Sequence, residues 1–147
     1  MNSYGLIDLH CDTLAEYWKY AHTGNPDTLD DPGRVLSLSN MPKDVHWAQF
    51  YAVFIPDEER GQAAIDCFEK NRANFYRQME KFGDRVAPCR NADDMEKAWA
   101  AGKTAAFLTI ENGSVLAGDL SRVHTLAEQG VRAITLTWNG ENELGSG

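Results

Sequence analysis

Two periodicities of hydrophobic and polar residues alternate along the chain. The first is the period of two expected of strands. Leu6-Ile7-Asp8-Leu9-His10-Cys11-Asp12 opens the chain with apolar and chemically active positions interleaved. Because successive strand side chains point to opposite faces, Asp8, His10 and Asp12 are expected on one face and Leu9 and Cys11 on the other. Trp47 to Ile55 is apolar on both faces, as a buried parallel strand should be. Ala105 to Ile110 and Val131 to Thr137 read as a third and a fourth strand, and Val86 to Cys89 as a short extended piece. Between these runs the period lengthens to that of a helix. Leu14, Tyr17, Trp18 and Ala21 recur at helical spacing behind Thr13 as N-cap, with a stop at Thr23-Gly24-Asn25-Pro26. A long helix is predicted from a cap at Asp57 to about Phe82, with Ala64, Phe68, Asn71, Phe75, Met79 and Phe82 inward and Gly83 as its stop. Asp93 and Glu96 resemble a capping box that starts a helix through Met95, Ala98 and Trp99, closed by Gly102. A last helix spans about Leu120 to Gln129, with Leu120, Val123 and Ala127 inward and Gly130 as its cap. The polar stretch from Pro26 to Lys43 reads as a long loop with a short strand at Val35, Leu36 and Leu38. Strand and helix alternate throughout, which indicates parallel α/β architecture.

Composition narrows the classes of partner. The chain has 147 residues, 43% of them hydrophobic, enough for one domain with a real core. Its 22 acidic against 14 basic residues give a formal charge of −8, which argues against a nucleic acid partner. No basic start followed by an apolar run marks a secretory signal, and no apolar stretch is long enough to span a membrane. The three cysteines, Cys11, Cys67 and Cys89, form no CxxC pair. Neither a disulfide framework nor a cysteine zinc site is expected, and a cytoplasmic location fits best.

The candidate chemistry sits at strand ends. His10 and Asp12, two residues apart, can grip one divalent cation, while the same residues also suit a capped turn with Asp12-Thr13 at a helix N-terminus. Glu111 ends the third strand and Trp138-Asn139 the fourth. Carboxyl ends of parallel strands are where α/β active sites are built. Glu111 beside His10 and Asp12 completes a set of one imidazole and two carboxylates, and a carboxylate can bridge two cations. His124 lies beside the apolar stripe of the last helix and reads as an ordinary surface or half-buried histidine.

These segments carry a family resemblance. Asp8-Leu9-His10-Cys11-Asp12-Thr13, Phe107-Leu108-Thr109-Ile110-Glu111-Asn112-Gly113 and Ile134-Thr135-Leu136-Thr137-Trp138-Asn139 together resemble the membrane dipeptidase (renal dipeptidase) family of zinc peptidases. Gln49-Phe50-Tyr51-Ala52 and the tract from Asp94 to Lys103 resemble it as well, so the likeness is collinear over nearly the whole chain. The resemblance implies the N-terminal half of a (β/α)8 TIM-type barrel, about four βα units across residues 1–147, ending after the fourth strand. It implies a site for two zinc ions, with His10 and Asp12 as ligands and Glu111 as the bridging carboxylate. It also implies hydrolysis of dipeptides by a metal-activated water. Asp8, on the strand face of His10, is expected either to orient the ligand shell or to make a capping or inter-strand hydrogen bond, and Trp138 and Asn139 are expected to face the substrate.

Two departures from the family pattern qualify that expectation. Trp138 stands where family members carry a substrate-contacting histidine, and an indole offers one N–H donor in place of an imidazole. The family's two further histidine ligands and its acid/base aspartate come from later strands, which residues 1–147 do not contain. Another metal-dependent amidohydrolase is the alternative on the same barrel, although His10-Cys11-Asp12 differs from the His-x-His common in that superfamily. A non-catalytic α/β fragment, self-associating through open barrel edges, is the alternative outside enzymes. With part of the ligand set absent, the purified chain is expected to bind zinc weakly and to cleave dipeptides little. Zinc titration and a dipeptide assay check this, and robust zinc-dependent cleavage would contradict the missing-ligand argument.

Overall fold

A computed structural model of the chain describes residues 4–14 and 28–147. The helix expected around Tyr17, Trp18 and Ala21, with its stop at Thr23 to Pro26, lies outside the described residues. The elements in order are β1 (Gly5–Cys11), β2 (His46–Phe54), α1 (Gln62–Lys81), β3 (Val86–Pro88), α2 (Ala92–Ala100), β4 (Thr104–Glu111), α3 (Arg122–Glu128) and β5 (Val131–Thr135). Every strand pairing is parallel, in the adjacent order β1-β2-β4 with β3 and β5 both on β4.

The four strands expected from the pattern are thus present, and the short piece at Val86 is a fifth. Its place follows from register. β2 lies along β4 from Ala48–Ala105 to Phe54–Glu111, which leaves one edge of β4 for the others. β3 takes the amino end of that edge, pairing Val86 with Thr104 and Pro88 with Ala106. β5 takes the carboxyl end, pairing Leu108 with Val131 and Glu111 with Thr135. The proline can sit at the end of β3 because a strand terminus tolerates the missing donor.

The central strands bury both faces. Tyr51, Val53, Ile55, Ala106, Leu108 and Ile110 pack against Phe68, Phe75 and Met79 of α1. On the opposite parity, Ala48, Phe50, Ala105 and Phe107 meet Ala98 and Trp99 of α2, with the Phe50 and Phe107 rings stacked 4.6 Å apart. Phe68, Leu108 and Ile110 are all but inaccessible to solvent. Burial of each such side chain is worth roughly 1.5–3 kcal/mol.

Several local expectations are corrected. α1 begins at Gln62, behind Gly61, because the chain first turns at residues 57–58, where Glu59 N bonds to Pro56 O; Asp57 does not cap it. Its buried face carries Asn71, Asn74 and Gln78 as well as the apolar stripe. Gln78 is accommodated because its Oε1 accepts from the backbone N–H of Leu29 at 2.8 Å. α2 is capped by Asn91, whose side chain accepts from Asp94 N, rather than by Asp93. The region of Val35 to Leu38 is turns rather than strand: Arg34 N bonds to Asp31 O, Leu38 N to Leu29 O, and Asn40 Nδ2 to Arg34 O. Local bonds satisfy the backbone there, so no strand partner is needed. In α3 the buried residue is Leu126, while Leu120, Val123 and Ala127 are exposed. This helix flanks β5, an edge strand among the described residues, so only one row of its side chains meets the sheet. Gly130, at φ +105°, turns the chain from α3 into β5; a Cβ there would strike the Tyr76 hydroxyl.

The excursion before β2 is held from both ends. Asp30 accepts a bidentate bond from Arg85 at 2.9 and 2.7 Å, and the guanidinium holds its carboxyl below the usual value. Thr13 donates to Leu36 O at 2.7 Å. Gln78→Leu would strand the Leu29 N–H in an apolar setting. The expected loss is about 1–3 kcal/mol of unfolding free energy. Denaturant unfolding measures it, and an unchanged midpoint would show that this bond contributes nothing.

Candidate metal centre

The centre is built from the carboxyl ends of β1 and β4. Strand alternation puts Glu111 on the same face of β4 as Phe107, and the β2–β4 register sets it level with Phe54. On β1 the register slips. Asp8 pairs with Gln49, but Cys11 pairs with Tyr51, so β1 carries one residue more than β2 across this interval. The bulge corrects one expectation. Asp8 keeps step with Gln49 and Cys11 with Tyr51, so Asp8 is not on the strand face of His10. Its carboxylate instead accepts from the backbone N–H of His10 at 3.1 Å. Asp8 therefore shapes the bulge that presents His10. The carbonyl of Asp8 in turn accepts from the side chain of buried Gln49 at 3.4 Å.

His10 Nε2 lies 3.4 Å from Asp12 Oδ1 and 3.9 Å from Glu111 Oε2. One ligand atom from each of the three residues falls within 4.8 Å of the others. His10 and Asp12 are open to solvent, with side chains 44% and 58% exposed, while Glu111 is 20% exposed. Burial pushes the Glu111 carboxyl above its ordinary value; His10 opposes this and Asp12 adds to it. A divalent cation answers that arrangement, because it stabilises both carboxylates and takes a neutral imidazole. One nitrogen and two oxygen donors suit zinc and its neighbours in the first transition row. Cys11 stays apart, as alternation predicts: it is buried in the main core, and burial pushes its thiol up to about 12.

The centre borders a cleft of about 460 Å³ lined by Asp8, His10, Asp12, Thr13 and Leu36 among others. A larger cleft of about 760 Å³, lined by Met41, Lys43, His46 and Lys103, lies toward the amino ends of the strands and includes none of the candidate ligands. Trp138 is 44% exposed and meets the Phe54 ring edge-on at 4.8 Å, which puts it at the ligand end of the sheet. Asn139 follows it on the surface. Pattern reading misses one residue here. Asn112 is fully buried directly behind Glu111, and its only sequence signal is an Asn-Gly step at a strand end.

An imidazole and two carboxylates gather at the carboxyl ends of parallel strands, the place where β/α barrels build their sites. The sequence model of the membrane dipeptidase family, peptidase family M19, matches residues 1–147, and the chain belongs to that family. Solved structures agree in fold. A metallo peptidase from Rhodobacter sphaeroides, liganded with a phosphinate mimic of the dipeptide L-Ala-D-Ala, superposes with a TM-score of 0.78 at 16% identity, covering 96% of this chain and 47% of that one. The probable dipeptidase PvdM from Pseudomonas aeruginosa gives 0.71 at 19% identity, over 92% of this chain and 35% of that one. An amidohydrolase from the same organism gives 0.61 at 23% identity, over 71% and 30%. The chain spans less than half the length of these proteins, and its fold is that of the N-terminal half of the barrel.

The raised Glu111 value yields a pH-dependent expectation for the metal-free protein. A carboxyl whose folded value lies above its unfolded value favours folding only when protonated, so its contribution is lost as pH rises through that interval. Glu111→Gln should therefore raise the melting temperature at neutral pH, and the gain should vanish below the ordinary carboxylate range. Thermal melts across pH check this; a destabilised variant at neutral pH would contradict it.

Proposed function

We propose that residues 1–147 supply the first half of a zinc-dependent dipeptidase site. The observation that carries this reading is the convergence of His10, Asp12 and Glu111 from two strand ends, in a chain of the membrane dipeptidase family. His10 and Asp12 would hold one zinc ion, and Glu111 would bridge to a second. When bound, such ions polarise a scissile carbonyl and lower the pKa of water.

The chain's own residues do the rest of what this half can do. Asp8 accepts from the backbone N–H of His10 and so helps set the bulge from which the imidazole enters. Partial burial of Glu111 weakens solvent competition for its oxygens. Trp138 and Phe54 form an aromatic wall at the ligand end, apolar in character with one indole donor, suited to a dipeptide side chain. Trp138 and Asn139 are the proposed substrate-facing residues of this half. Among the described residues, β1 and β5 each have a single partner strand, and Leu9 and Leu136 are exposed. These edges support association with further strands to close a barrel wall. Among the described residues no helix is long and apolar enough to cross a membrane.

Two titrations test the proposal. Zinc added to the purified chain should bind at the three residues, and His10→Ala or Asp12→Ala should weaken binding about ten-fold or more. A phosphinate dipeptide mimic should then bind the zinc-loaded chain and not the metal-free one. Zinc binding indifferent to His10 and Asp12 would sink the metal assignment. Mimic binding that ignores zinc, or fails with it, would sink the dipeptide assignment.

A further inference from the structure

Directly behind the proposed ligand Glu111, the buried side chain of Asn112 spends all its hydrogen-bonding capacity on the strand ends around it. Its Nδ2 donates to Ile55 O at 2.9 Å and to Asp57 Oδ1 at 3.1 Å. Its Oδ1 accepts from Ser114 N at 3.2 Å and from Asn142 Nδ2 at 2.9 Å. Its backbone N–H donates to Thr135 Oγ1 at 3.0 Å. One residue thereby joins the ends of β2, β4 and β5 to the segment around Asn142. Ile55 is held reciprocally, because its N–H donates to Glu111 O at 3.0 Å while its carbonyl takes the Asn112 amide. Asn142 extends the net by donating to Leu136 O at 2.6 Å, two residues before Trp138.

The backbone makes the same point. Asn112 has φ +79° and ψ 108°, outside the left-handed helical region that asparagine tolerates, so its backbone is strained and needs its side-chain bonds to hold it. That conformation turns the chain sharply after Glu111, and the four side-chain bonds hold it there. We infer that Asn112 is the positioning residue of the metal centre, locking the Glu111 carboxylate and the Trp138 segment to one frame. This rests on the metal reading of Glu111 and deepens it, since a ligand is only as well placed as the groups that fix its backbone.

The test separates positioning from mere stability. Asn112→Gly keeps the positive φ and removes the side chain. Asn112→Asp keeps the shape and the acceptor but loses the amide donor and sets a carboxylate against Asp57. Leu108→Ala, a core truncation away from the net, serves as the stability control. Cobalt(II) is titrated into each purified protein, with its visible absorption spectrum and the melting temperature recorded. Both Asn112 variants should bind cobalt about ten-fold or more weakly and with an altered spectrum. Leu108→Ala should melt lower yet bind as the parent does. Asn142→Ala, at a less buried site, should weaken binding to a smaller extent, and decides the question if the Asn112 variants do not fold. Parent-like affinity and spectrum in the variants, with only the melting temperature reduced, would overturn the inference. Cobalt binding by the parent that His10→Ala leaves unchanged would overturn the metal reading itself, and this inference with it.

Discussion

From Ala48–Ala105 to Phe54–Glu111, β2 and β4 are zipped in one uninterrupted parallel register, and the positions of all three candidate ligands are referred to that ladder. It runs between two apolar layers, so a slip by one residue would turn Leu108 and Ile110 out of the α1 core and Glu111 into it. The hydrophobic effect thus determines which face Glu111 occupies, although Glu111 contributes nothing to that effect. β1 is positioned against β2 by the same pairing, and only at its carboxyl end does the one-residue bulge depart from it. The rigid part of the sheet carries the glutamate, and the irregular part carries the histidine and aspartate.

That division of labour places a cost on the centre. Two carboxylates and an imidazole share a small space, and the glutamate is partly withdrawn from water. Like charges brought together are unfavourable unless a cation joins them. Burial raises the Glu111 carboxyl more than Asp12 does, and a cation at the proposed site would offset that burial. The aromatic pair Phe54 and Trp138 stands beside it, so a ligand there would find charge on one side and an apolar wall on the other.

Much of this was legible in the residues. Alternation located β1, largely apolar runs located β2, β4 and β5, and polar residues at the ends of those strands singled out His10, Asp12 and Glu111. The bulge was not legible. Alternation within β1 predicts that Asp8 shares the face of His10, and only the residue count on β2 reveals the extra residue. The start of α1 was misread for a related reason. Asp57 looks like a cap in isolation, but its carboxylate serves Asn112, which is distant in sequence. Asn112 itself reads as a turn residue; its role depends on Ile55, Thr135 and Asn142, which no local window contains. The inward stripe of α3 failed because helical periodicity says which residues align, and not which row faces a sheet that ends beside the helix.

The branching of the sheet at β4 has a bearing on how this fold can change over time. β3 occupies only the amino half of the open edge of β4, pairing as far as Ala106, whereas Glu111 and the Asn112 net lie at the other end beside β5. The strand is divided lengthwise into a half that supports packing and a half that carries the candidate ligand. Drift at the β3 residues Val86 to Pro88 is therefore felt at the end of the strand away from Glu111, whereas Ala98 and Trp99 pack on Phe50 and Phe107 and tie the rest of that stretch to the ladder. At the carboxyl half, by contrast, a single backbone adjustment reaches the glutamate, the tryptophan segment and two neighbouring strands together.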